Sequence, residues 1–327
     1  MDNWEMSKDN VSDRSIDPLS DRVEQSSIPA KRGSYVIAIA NQKGGVAKTT
    51  SVVSIGGALV WNDKEVLLVD LDAQSNLTLA LGKDPNRIRG TITDVLFNSA
   101  TLLSVSRETA IPGLDLVPSN AGMELAERFL PVRKDYETIL RRALDDALKV
   151  TPQSLLKAAQ EFSSTGNSSG LFENDQEVAP PMLTESRFPS VSYEFVLLDC
   201  PPFMGAITLN ALIAADMLII PTQPEYFSAH ALNTMMATVR QVRSQYNPDL
   251  VYRILITMYD QRNRIHREVR QQIRDTFGKG TFETEIGIDT KLRESAVEGV
   301  PITHFRSRSR SAQQYDALAQ ELIQYVR

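Results

Sequence analysis

YVIAIANQKGGVAKTT, residues 35–50, decides the fold. Its first six residues, Tyr35 to Ala40, are a short apolar run rich in β-branched side chains, which predicts a buried strand. A glycine-containing loop follows. From Lys48 to Trp61 small and apolar residues recur at helical spacing, with Val52, Val53, Ala58 and Leu59 facing inward. Val66–Leu71 (VLLVDL) reads as a second buried strand. Strand, loop, helix and strand in this order form a βαβ unit.

Further apolar runs at Leu114–Val117, Phe195–Leu198, Met217–Ile220 and Ile254–Met258 predict more strands. Helical stretches separate them, at Gly122–Leu148, Ala229–Tyr246, Arg267–Phe277 and Ala312–Val326. Short continuous apolar strands alternating with helices imply an α/β fold: a mostly parallel twisted sheet flanked by helices, of the P-loop NTPase kind. Residues 1–32 are polar and read as a disordered tail. Residues 33–327 read as one domain, interrupted by an insertion at about 151–192. That insertion carries SSTGNSSG (163–170) and EVAPP (177–181), after a short helical stretch at Gln153–Phe162.

Composition narrows the function. Lys and Arg total 35 against 41 Asp and Glu, a formal charge of -6, so any DNA contact must come from a local patch. The lone cysteine, Cys200, excludes disulfides within the chain and suits a reducing compartment. No run of about 18 apolar residues is present, so no membrane partner is expected. His230, His266 and His304 match no metal-ligand spacing and read as surface or capping side chains.

The loop from Asn41 to Thr50 joins strand to helix, the position at which backbone N–H groups meet the positive end of a helix dipole. Lys43, Gly44, Gly45, Val46, Ala47, Lys48, Thr49 and Thr50 are therefore the candidate phosphate-binding residues. Lys48 would reach the β- and γ-phosphates, and the Thr49 hydroxyl would ligate Mg²⁺. The generic GxxxxGK[ST] pattern is not met, because Gln42 and Ala47 stand where its glycines belong. Ala47 is compatible with the loop if its φ is negative, and that is the expectation. Asp70, Asp72 and Asp199 end predicted strands, at the sheet edge where open α/β sheets bind ligands.

The chain resembles the ParA/MinD family of deviant-Walker ATPases, and its Soj-like partition branch in particular. The resemblance rests on AIANQKGGVAKTT (38–50), VLLVDLDAQSNLT (66–78), FVLLDCPPFMGAITLNAL (195–212), IIPTQPEYFSAHAL (219–232), ILITMYD (254–260) and the part from Leu292 onward. It implies ATP and Mg²⁺ as cofactors, slow hydrolysis, and an ATP-sandwich homodimer. It also implies sequence-nonspecific DNA binding, stimulation by a ParB-like or other adaptor, and a cytoplasmic, nucleoid-associated protein. By the same resemblance Lys43 is the signature lysine that reaches the partner subunit's nucleotide, and Lys48 is the P-loop lysine. Thr49 ligates Mg²⁺, Asp72 positions water beside the metal, Asp199 holds Mg²⁺ through water, and residues 201–207 form a switch. The cargo implied is a plasmid or chromosome locus; a protein organelle such as the carboxysome is the alternative. A MinD-like membrane ATPase needs a basic amphipathic segment after the last helix, which is not expected here, and a dethiobiotin-synthetase-like ligase fits the later segments poorly.

Two arginine clusters are candidates for holding DNA phosphates. Arg267, Arg270 and Arg274 share a helical face at i, i+3 and i+7, and Arg306, Arg308 and Arg310 alternate with serines. The alternative for the first cluster is a solvated face paired with Glu268 and Asp275.

Overall fold

The computed structural model describes residues 33–148, 192–226 and 228–326. The expected tail, and all of the expected insertion but residue 192, lie outside them. In chain order the elements are β1 (Tyr35–Ile39), α1 (Lys48–Trp61), β2 (Val66–Asp70), α2 (Asn76–Ala80), α3 (Ile92–Leu96), α4 (Leu102–Val105), β3 (Arg107–Glu108), β4 (Leu114–Val117), α5 (Met123–Phe129), α6 (Ile139–Leu148), β5 (Phe195–Asp199), α7 (Ala206–Ala214), β6 (Met217–Thr222), α8 (Ser228–Gln245), β7 (Val251–Ile256), α9 (Arg264–Phe277), α10 (Lys291–Val297), α11 (Ile302–Phe305) and α12 (Arg310–Tyr325).

Seven strands form one sheet in the order β3-β4-β2-β5-β1-β6-β7. Every pairing is parallel except β3 with β4. Apart from the short edge strand β3, the strands are largely buried on both faces, which is why they read as unbroken apolar runs rather than alternating ones. Alternate residues feed two cores. Ile37, Ile39, Leu68 and Leu197 pack on one face with Val52, Ile55 and Leu59 of α1 and Tyr315, Leu318 and Leu322 of α12. Val36, Ala38, Val69 and Leu198 pack on the other with Leu212 of α7, Met235 and Val239 of α8, and Leu140 and Leu144 of α6.

Three features depart from the sequence reading. The strands of the first βαβ unit are not neighbours: β5 lies between them, paired with both. The long helix expected at 122–148 is broken. Leu130–Val132 and Tyr136–Thr138 are 3₁₀ turns, because Pro131 has no N–H to give and Asp135 takes φ 57°. The last strand begins at Val251 rather than Ile254. Its Arg253 is buried with the guanidinium carbon 4.6 Å from the centre of the Tyr325 ring, so a charged residue disguises the start of the strand. Among the described residues no helix is long and apolar enough to cross a membrane.

Candidate phosphate-binding site

β1, β2 and β5 end side by side, and the site is built on their carboxyl ends. Register places Asp199 between Ile39 and Asp70. The loop from β1 to α1 is held from outside: Asn41 Nδ2 donates to Pro221 O at 2.7 Å and Thr257 Oγ1 to Val46 O at 3.1 Å. Val46 is buried, while Gly44 and Gly45 are exposed at the rim. Gly45 takes φ 75°, which glycine permits without cost.

Ala47 takes φ 65° and ψ 35°, the left-handed region, and so overturns the expected negative φ. The loop must reverse direction here to start α1, and Ala47 O already accepts from Ser51 N at 2.9 Å. An alanine in this region costs about 1 kcal/mol relative to its right-handed form. The glycine of the generic motif would avoid that cost.

A cavity of about 410 Å³ opens over the loop. Gly44, Gly45, Ala47, Lys48, Thr49 and Thr50 line it, together with Asp72 and Pro202 and with Leu292, Ser295 and Ala296 of α10. The structure thus brings together the glycine loop, Lys48, Thr49 and Asp72 as the sequence predicts. The contribution from α10 is new; nothing in that segment's spacing singles it out.

Lys48 is buried and its Nζ donates to Lys43 O at 3.3 Å. Burial lowers its pKa, opposed by the carboxylates of Asp199 and Asp72. Asp199 is buried, and neither of its oxygens makes a hydrogen bond of good geometry, although Thr49 lies close enough to favour the charged form. Burial, then the neighbouring Asp70, pushes its pKa well above the usual carboxylate range. A buried carboxylate left unpartnered beside a threonine hydroxyl fits a cation. Among the described residues no three Asp, Glu, His or Cys side chains converge on a metal position. That donor set suits Mg²⁺, which keeps several waters and takes other ligands from phosphate.

Asp70 does different work. Its Oδ2 accepts from Thr78 N at 2.8 Å and Thr78 Oγ1 at 2.7 Å, and its Oδ1 from Asp72 N at 3.1 Å. It therefore anchors the Asp72 loop and α2. Burial pushes its carboxyl up to about 6, against the pull of these bonds. Thr78→Val is expected to lower stability by about 1.5–3 kcal/mol, the usual loss for a buried bond to a charged group. Urea denaturation checks this; an unchanged midpoint would show that Asp70 is held without the hydroxyl.

The Lys43 ammonium pairs with Glu225 in the loop between β6 and α8. Both side chains are partly exposed. Glu225 lies within IIPTQPEYFSAHAL, where spacing assigns it no role; only the fold shows it facing Lys43.

The arginines separate into two kinds. Arg270 Nε lies 2.6 Å and Arg274 Nη2 2.8 Å from Glu285 Oε1, with Arg274 Nη1 3.2 Å from Glu283. Glu268 instead pairs with Arg264, and Asp275 accepts from Gln271. Arg267 donates to Gln261 O at 2.8 Å. In the second cluster Arg306 lies over the Phe305 ring, Arg310 donates to Ile288 O, and all three arginines are exposed. His266 caps a turn, accepting from Asp260 N at 3.1 Å.

A parallel sheet whose first strand runs into a phosphate loop with a lysine and a threonine opening the helix, beside an acidic strand end, defines a P-loop nucleotide hydrolase. The AAA-domain family matches residues 34–150 and 170–252. The Bacillus subtilis sporulation initiation inhibitor protein Soj is 32% identical over 288 residues, spanning 88% of this chain and 97% of Soj. The Caulobacter vibrioides chromosome partitioning protein ParA is 32% identical, spanning 88% and 93%. A Mycobacterium smegmatis structure described as cobyrinic acid a,c-diamide synthase, with bound ATP analogue and magnesium, is 30% identical with a TM-score of 0.67, spanning 89% of this chain and 94% of that one. The chain belongs to the ParA/MinD family of P-loop ATPases.

Proposed function

We propose that this chain binds Mg-ATP, dimerises around it, holds DNA without regard to sequence, and releases it on hydrolysis stimulated by an adaptor, so positioning a plasmid or chromosome locus. The observation that carries the reading is the pair of lysines on one loop: Lys48 lines the phosphate cavity, while Lys43 is not among its lining residues and pairs with Glu225. One lysine serves the nucleotide bound in cis. The other, Lys43, takes the role that the family resemblance gives it, toward the nucleotide of a second subunit. Relatedness to Soj and ParA over nearly the whole chain supports the partition role.

When bound, Mg-ATP would supply the phosphoryl group to be cleaved and a positive charge beside the Asp199 carboxylate. Gly44, Gly45, Val46 and Ala47 turn backbone toward the phosphates, Lys48 neutralises them, and Thr49 with Asp199 holds the metal. Thr50 continues the first turn of α1 beneath them. Asp72, which also lines the cavity, orients water. The cobyrinic acid a,c-diamide synthase description raises an amide-forming reading, and Cys200 argues against it. Its thiol is buried and pushed up by that burial and by Asp199, the opposite of the thiolate that a cysteine-dependent ammonia source needs.

For DNA, the exposed Arg306, Arg308 and Arg310 are better placed than Arg270 and Arg274, whose guanidinia are already held by Glu285. Arg267 lies at the edge of that set. Arg306→Ala with Arg308→Ala is expected to weaken ATP-dependent DNA binding and flatten the salt dependence, by about 0.9 in log–log slope for each phosphate no longer neutralised. Nucleotide affinity stays unchanged. Mobility shifts at two salt concentrations with ATP and without it check this. DNA affinity equal to wild type would move the DNA surface elsewhere, and a strong preference for one sequence would overturn the nonspecific mode.

A further inference from the structure

We infer that Glu127 is a positioning residue for hydrolysis: from α5 it holds the start of α7, and with it the Pro201–Gly205 segment, at the distance from Asp72 that the reaction needs. The inference rests on the reading of residues 201–207 as part of the hydrolytic site.

The first turn of any helix leaves its N–H groups without partners, and a side chain at the position before the helix normally answers them. In α7 that position is Gly205, which has no side chain. The cap comes instead from another element: Glu127 Oε1 accepts from Ala206 N at 2.6 Å and Oε2 from Ile207 N at 3.1 Å. The carboxylate charge also meets the positive end of the helix dipole. The fit leaves no room to spare. A Cβ on residue 205 would lie 1.9 Å from Glu127 Oε1, so the glycine is there to admit the carboxylate.

This tie falls at a sensitive place. Pro201 and Pro202 follow directly on Asp199 and Cys200, and Pro202 walls the phosphate cavity. Thr208 Oγ1 donates back to Phe203 O at 2.7 Å, so the segment and the first turn of α7 move together. A second cavity, about 420 Å³, lies between them and α5, and Asp72, Gln74, Glu127, Pro201 and Pro202 all line it. The Asp72 side of the site is set by β2, and the Pro202 side by β5 and α7. Glu127 is the polar link from α5 that fixes the second side. The Lys43–Thr50 loop, which carries nucleotide affinity, is attached elsewhere, through Asn41 and Thr257. Binding and turnover therefore depend on different supports.

The test is a comparison of Glu127→Ala and Glu127→Gln in the full chain, measuring single-turnover ATP hydrolysis, equilibrium affinity for a nonhydrolysable ATP analogue, and thermal stability. Glu127→Ala should lower the hydrolysis rate at least about tenfold, as a displacement near 1 Å does in a positioned site, with affinity within about threefold of wild type. Glu127→Gln keeps one acceptor and the shape, and should recover part of the rate. Gly205→Ala, which pushes the carboxylate aside, should reproduce the loss in an otherwise wild-type chain, and adding it to Glu127→Ala should cost little more. A wild-type rate in Glu127→Ala overturns the inference. So does a loss of affinity in proportion to rate, or a Glu127→Gln rate no better than alanine when both variants fold, because either result makes Glu127 a structural cap alone. If the wild-type protein itself neither binds nor hydrolyses ATP, it is the proposed function that fails, and the variants are not needed to see it.

Discussion

Asp72→Ala is expected to lower ATP hydrolysis by about 10²–10⁴-fold, the range for losing a positioned group that orients or activates water, while leaving affinity for ATP within a few-fold of wild type. The geometry separates the two effects. The Asp72 side chain lines the phosphate cavity, but the backbone of its loop is secured by other groups. Asp72 O accepts from Ser75 N at 2.9 Å and from Ser119 Oγ at 2.8 Å, and Asp70 holds Asp72 N. The Asp72 carboxylate itself receives Gln74 N at 3.0 Å. Removing it therefore costs the loop one bond out of several. An interaction that matters in the transition state and little in the ground state lowers the rate without lowering affinity. The variant should accumulate as the ATP-bound dimer and stay on DNA. Single-turnover hydrolysis with a parallel binding titration decides it: wild-type turnover would assign water positioning to another group.

Lys43→Ala is expected to abolish the ATP-dependent dimer while sparing nucleotide binding by the monomer. In the single chain Lys43 makes an ion pair with Glu225, and both partners are partly exposed, with side-chain exposures of 32% and 43%. Such a pair contributes at most about 1 kcal/mol. A partner's triphosphate, in a closing and dehydrating interface, offers the ammonium a much stronger site. Replacing Lys43 then removes an interaction present only in the dimer. Light scattering with a nonhydrolysable analogue is the measurement, and a normal dimer in the variant would remove Lys43 from the interface.

The sheet is legible because doubly covered parallel strands are written as continuous apolar runs. β3 is not, because Arg107 and Glu108, half-buried and exposed, carry no such run. The phosphate loop is legible because its residues are contiguous, so spacing and position carry the chemistry. What escapes is what the fold assembles from afar. Glu225 meets Lys43 across 182 positions, and Glu127 meets Ala206 across 79. Glu285, which neutralises Arg270 and Arg274, lies outside their helix, so helical periodicity could not show that the arginines were already engaged. Ala47 escapes for another reason: its side chain says nothing of the turn the loop must make.

The place of β5 between β1 and β2 has a consequence for synthesis. The first two strands leave the ribosome early, yet the strand that joins them is finished only at Asp199, about 130 residues after β2 ends. At about 5–20 residues per second, that is a wait on the order of ten seconds. Throughout it Val36, Ile37, Leu67 and Leu68 have no sheet neighbour on their inner edges, and β2 can pair only with β4 once that strand emerges. The nascent chain thus carries at least three unpaired apolar strand edges, both of β1, whose other neighbour β6 comes later still, and the β5 edge of β2, the kind of surface that chaperones hold and that aggregation exploits. The ATP site, set on the ends of all three strands, cannot exist before the last of them arrives, so nucleotide cannot help the early chain to fold.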